Sequence, residues 1–72
     1  MTHSTVPAER RMANDIARNH GHLPGDHAAE AIAGHVGRFW DPRMRQRLYD
    51  LVDAGDDALD PLVVAAVRLM RI

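Results

Sequence analysis

Apolar residues recur along this chain at helical spacing and nowhere alternate as a strand would. Met12, Ala13, Ile16 and Ala17 fall at i, i+1, i+4 and i+5, one face of a helix expected from about Thr5 to His20. Thr5 is its expected N-cap, Pro7 is tolerated in the first turn, and residues 1–4 are expected to form a disordered tail. Gly21 and then Leu23-Pro24-Gly25 carry stop and turn chemistry. Asp26 is the expected cap of a second helix, whose Ala28, Ala31, Ile32, His35, Val36 and Phe39 make the cleanest amphipathic stripe in the chain. Gly34 and Gly37 each cost that helix about 1 kcal/mol of propensity relative to Ala. They reflect either neutral drift or the close approach of a neighbouring helix or partner.

The sharpest break comes at Asp41-Pro42. Asp accepts a free backbone N–H at a helix start, and Pro has none to leave unpaired. The second helix therefore ends near Phe39-Trp40, and a third runs from Pro42 to about Ala54 with Met44, Leu48, Leu51 and Val52 inward. Gly55 is its expected left-handed terminator. Asp60-Pro61 repeats the cap-then-proline device, and Leu59 can staple to Val64. The fourth helix carries Leu62, Val63, Ala66, Leu69 and Met70 on one face, with Val64, Ala65 and Val67 making its other side apolar too. A helix apolar most of the way round points to a partner. Four short helices with short loops predict an all-α fold, one small orthogonal or bundle-like domain over residues 5–72.

Composition tightens this picture. A chain of 72 residues buries only about 60% of its unfolded surface. Eleven of its apolar residues are Ala, and no Cys is present to supply a disulfide or a thiolate ligand. Such a domain often gains stability by docking on something larger. The lack of Cys fits a reducing cytoplasm. The first residues lack the basic and apolar blocks of a signal peptide, and no apolar run approaches the roughly 20 residues of a membrane span. All nine basic residues are Arg, and the net charge is −1. Neither value demands nucleic acid or a membrane.

Candidate chemistry is sparse. His20, His22 and His27 cluster around one loop, but their spacing matches no familiar zinc pattern, so they read as solvated. Counted from Asp50, a calcium loop would find its glycine at Gly55 but Pro61 in place of the closing Glu. No nucleophile elbow or phosphate-binding loop occurs. No catalytic, cofactor-binding or metal-binding residue is expected in this chain. The concentrated feature is Arg38-Phe39-Trp40-Asp41-Pro42-Arg43-Met44-Arg45, with the single Phe, the single Trp and three arginines. Phe39 lies on the core stripe, and Trp40, about 100° away, either roofs the core or faces outward. An outward Trp beside Arg is a common interface hot spot. The same corner superficially resembles a helix-turn-helix, so a small DNA-binding or regulatory module is the alternative reading.

Three segments add a family resemblance. Arg11-Met12-Ala13-Asn14 with Ile16, then Phe39-Trp40-Asp41-Pro42-Arg43-Met44-Arg45, then Asp60-Pro61-Leu62-Val63 are similar to the delta-subunit family of soluble NAD-dependent formate dehydrogenases. The resemblance runs from about Arg11 to Leu69, Phe39–Arg45 being its specific part, and departs at Asn19-His20, where the family carries bulkier apolar residues. It implies a non-catalytic accessory subunit of a cytoplasmic molybdoenzyme, supporting assembly or stability of the holoenzyme. The molybdenum–pterin cofactor and iron–sulfur clusters would lie on the large alpha subunit, and the FMN site that serves NAD on another subunit. The expected docking surface on the large subunit comprises Arg11, Asn14, Arg38, Phe39, Trp40, Asp41, Pro42, Arg43 and Arg45, with Trp40 as anchor and Asp41 chiefly a cap. Neither nucleic acid nor membrane is expected as a partner.

Overall fold

The structure, a computed structural model, describes residues 8–72. Four helices follow in order, α1 (Ala8–Asn19), α2 (Gly25–Phe39), α3 (Pro42–Asp53) and α4 (Pro61–Met70), with no strand among the described residues. The expected cap at Thr5, Pro7 and the tail 1–4 lie outside those residues.

The boundaries follow local chemistry. α1 closes where the His20 amide reaches back to the Ile16 and Ala17 carbonyls. The His20 ring Nδ1 also donates to Ile16 O at 2.8 Å. α2 starts at Gly25, one residue earlier than expected, with Pro24 in the cap position and no side-chain cap. Asp26 instead occupies the first turn, where its charge still opposes the positive end of the helix. α2 ends on two extended residues, Trp40 (φ −91°, ψ 138°) and Asp41 (φ −75°, ψ 167°). Proline disfavours helical geometry in the residue before it, so Pro42 enforces the break. Asp41 Oδ1 then accepts the Met44 amide at 2.9 Å. α3 closes in a Schellman motif: Gly55 has φ +73°, its amide donates to Val52 O, and the Asp56 amide donates to Leu51 O. Asp60 Oδ1 caps α4 by accepting the Leu62 amide at 2.8 Å.

The helices pack unevenly. α2 and α4 form the closest pair, α1 touches the other three, and the consecutive α2 and α3 barely meet. The core joins Ala13 and Ala17 of α1, Ile32 and Val36 of α2, Trp40, Leu48 of α3, Leu59, and Val63, Ala66 and Val67 of α4. Met44, Leu51 and Val52 are half-buried against it. Met12, expected inside, lies exposed at its edge.

The inward face of α2 differs from expectation. Ala28, Ala29, Ile32 and Val36 are buried, whereas Ala31 is half-buried and His35 and Phe39 are exposed. The buried arc is turned by about 50°, half of one residue's angular step. That turn brings Ala29 in and puts Phe39 out. The fourth helix is corrected as well. Val67 is buried, Val64 and Ala65 are half-buried, and Leu69 is 42% exposed. Because α4 is flanked by all three other helices, its all-round apolarity is largely satisfied within the chain. A Cβ added at Gly34 or Gly37 would meet nothing within 4 Å, so none of the four described helices approaches closely there.

Polar ties stitch α1 to the second half of the chain. Arg10 pairs with Asp56 at 2.6 Å and Arg47 with Glu9 at 3.3 Å. Asn14 Nδ2 donates to Ala58 O at 2.9 Å, while its Oδ1 accepts the Asp60 amide at 2.8 Å. Arg71 pairs with Asp53 at 2.7 Å and lies over the Tyr49 ring, 5.1 Å from its centroid.

Two stability predictions follow from this packing. Trp40→Ala removes the largest core side chain and should cost about 3–5 kcal/mol, measured by urea denaturation of the isolated chain. The second concerns acid. The Ala58 amide and then Arg10 hold the Asp56 carboxyl below its ordinary pKa, and Arg71 does the same for Asp53, with desolvation opposing in each case. A folded-state pKa below the unfolded one gives stability that is complete above the unfolded value, about 3.9 for Asp, and lost as pH falls through the lowered values. The urea midpoint should therefore drop below about pH 4, and drop less steeply in Asp56→Asn.

Candidate functional site

The described residues assemble no reactive group. No three His, Asp or Glu among them converge as metal ligands. His22 and His27 are exposed, His20 is bound to its own helix end, and His3 lies outside the described residues. Among the described residues every buried side-chain nitrogen or oxygen has a hydrogen-bond partner. An open groove of about 380 Å³ lies between α2 and α4, lined by Asp26, Ala29, Glu30, Ala65, Arg68 and Leu69. Its charged lining groups are the carboxylates of Asp26 and Glu30 and the guanidinium of Arg68.

The corner between α2 and α3 presents a surface instead. Phe39 is 67% exposed, and its ring lies against His35, one turn earlier, with centroids 4.9 Å apart and planes at 46°. Arg38 precedes it, and Pro42 and Arg43 follow, all exposed. Trp40, expected as the outward anchor, is 5% exposed and belongs to the core. The extended backbone at Trp40 takes its side chain off the helical path, so an angle counted along α2 no longer applies. The two aromatics have exchanged roles: Phe39 is presented and Trp40 is packed.

The other predicted contact residues separate into free and occupied. Asp41 caps α3. Arg45 donates through Nη1 to the Trp40 carbonyl, bracing the corner from below. Asn14 is engaged at both ends with the Ala58–Asp60 segment, which places it against the α3–α4 loop and not at the corner. Arg11 is exposed on α1.

A census of charge sharpens the division. Arg10, Arg18, Arg45, Arg47 and Arg71 each have a carboxylate or carbonyl partner. Arg11, Arg38, Arg43 and Arg68 find none among the described residues. Three of these four, Arg11, Arg38 and Arg43, were among the expected contact residues. Of the three arginines on α3, which would be the recognition helix of a DNA-binding module, Arg45 and Arg47 are already engaged within the chain. Sequence reasoning missed the exposure of Phe39 and the Asn14 clamp. The i, i+4 spacing of His35 and Phe39 was the available signal for the first. Nothing local signals the second, because Asn14 and its acceptor at Ala58 are 44 positions apart.

No described helix is long and apolar enough to cross a membrane. No curated protein and no solved structure matches the chain. The family model described as NADH-dependent formate dehydrogenase delta subunit (FdsD) matches residues 11–67, which span α1 from its second turn, the whole α2–α3 corner and most of α4. An all-α chain matched over most of its length, with the Phe39–Arg45 corner inside the match, belongs to the formate dehydrogenase delta-subunit family.

Proposed function

We propose that this chain is a non-catalytic delta subunit of a cytoplasmic NAD-dependent molybdenum formate dehydrogenase. It supports assembly or stability of the holoenzyme by docking on the large alpha subunit through the α2–α3 corner. The observation that carries this reading is Phe39, 67% exposed at a corner where Arg38 and Arg43 are also exposed and have no partner among the described residues. A rigid aromatic flanked by arginines is the composition of a protein–protein hot spot, and burial of such a ring is worth far more at an interface than in water. Trp40 and Arg45 act from within the domain, fixing the corner so that Phe39 is held ready at little entropic cost.

The molybdenum–pterin cofactor, iron–sulfur clusters and FMN belong to other subunits in this reading. The opposing class, a DNA-binding module, draws less support. Two of the three arginines on its would-be recognition helix are bound inside the domain, and Asp50 and Asp53 share that helix.

Phe39→Ala should leave the isolated chain folded, because the ring contributes little to the core. It should weaken association with the large subunit by about 2 kcal/mol or more, roughly 30-fold in Kd, read by calorimetric or interferometric titration. A folded variant that binds undiminished would overturn the corner as the docking surface.

A further inference from the structure

The groove between α2 and α4 carries both signs of charge, on opposite edges. Asp26 and Glu30, one helical turn apart on α2, form one lip, and Arg68 belongs to the other, on α4. All three are exposed, and none has an ion-pair or cap partner among the described residues. Apart from Asp57, every other carboxylate side chain among those residues is held in an ion pair, a helix cap or a side-chain hydrogen bond. Between the lips the floor is Ala29 and Ala65, small residues that leave the groove shallow. Leu69 stands beside them 42% exposed, and Ile72 follows it fully exposed. One patch thus holds an apolar knob, a hollow, an acidic edge and a basic edge.

We infer that this groove is a two-fold interface that seats a second copy of the chain. A two-fold axis running along the groove lays the α4 lip of one protomer on the α2 lip of its partner, and the reverse, the reciprocity of an isologous contact. Arg68 of each protomer then faces Glu30 and Asp26 of the other, and each Leu69 covers the other's alanine floor. A two-fold axis across the groove would instead set acid on acid and Arg on Arg, so charge selects the orientation. The guanidinium fork has five N–H donors and can serve two carboxylates one helical turn apart. Asp26, in the first turn of α2, is also opposed by the positive end of its own helix, so Glu30 is the acid that depends most on the partner's guanidinium.

Every group this contact uses is present on the chain's own surface. The other self-contact would place the Arg38–Phe39–Arg43 corner of one copy in the groove of the next. It would bring two arginines up to a lip already bearing Arg68, and being head-to-tail it would build open chains of copies. From Glu30 to Phe39 the rise along α2 is about 14 Å, so a copy seated in the groove leaves the corner exposed. The two-fold contact goes beyond the delta-subunit reading and does not rest on it.

Sedimentation velocity of the full chain, over a concentration series reaching about 1 mM, tests this. The unsubstituted chain should pass from 8.0 kDa to twice that mass and stop there. Glu30→Arg alone and Arg68→Glu alone should each raise the dimer Kd about tenfold or more by setting like charges opposite each other. Mixed one to one, the two variants should dimerise again, because each lip then meets its opposite. An unsubstituted chain that stays monomeric, assemblies growing past two copies, or a dimer indifferent to both reversals would overturn the interface. So would a mixture that stays monomeric while each variant keeps the helical circular dichroism of the unsubstituted chain. Should either variant lose helicity, crosslinking decides. The chain has no Cys, so Leu69→Cys and Phe39→Cys each supply a single thiol for a short bismaleimide. Covalent pairs through position 69 and not through 39 support the groove, and any other pattern overturns it.

Discussion

The burial of one indole governs this structure. The interior is lined with alanines and valines, and its largest fully buried side chains are Ile32 and Leu48. Such small side chains fill little volume, and a chain of this size has few of them. Trp40 supplies the missing bulk, but a residue at the end of α2 can reach the core only if the helix stops before it. Asp41 and Pro42 impose that stop, the extended backbone turns the ring inward, and Arg45 holds the Trp40 carbonyl in place. The direction of α3, the outward aim of Phe39 and the weak contact between α2 and α3 all descend from this one arrangement.

What was legible in the sequence was local. Asp41-Pro42, Asp60-Pro61 and Gly55 announced their caps and turn because each works through bonds to residues two to five positions away. The rotation of α2 was not legible, since Ala28, Ile32 and Val36 belong equally to two overlapping stripes. One stripe adds Ala31, His35 and Phe39; the other adds Ala29, with Trp40 reaching the core from the extended residue after the helix. The choice depends on which aromatic the rest of the core can admit, and that is settled by helices remote in sequence. The same remoteness hid the division of the corner arginines into bracing and free.

The family assignment and the geometry bear on different levels. Membership in the formate dehydrogenase delta-subunit family rests on the match over residues 11–67. The geometry adds that the buried side-chain polar atoms are satisfied among the described residues, while the charges without a partner there include Arg38 and Arg43 at the corner and Asp26, Glu30 and Arg68 along the groove.

The ties of α1 have a consequence for the order in which the molecule comes together. Glu9, Arg10 and Asn14 are bonded to partners 38 to 46 positions further along the chain. Closing loops of that length costs more entropy than forming a helical hairpin, and it yields nothing until the distant partner is in position. The fastenings of Arg10 and Asn14 depend on the shape of the α3–α4 loop, whereas Glu9 is held by Arg47 on α3 itself. The first helix is thus held by its core alanines, Ala13 and Ala17, and by polar bonds whose partners all lie in the second half of the chain, so its hold depends on residues most distant from it in sequence.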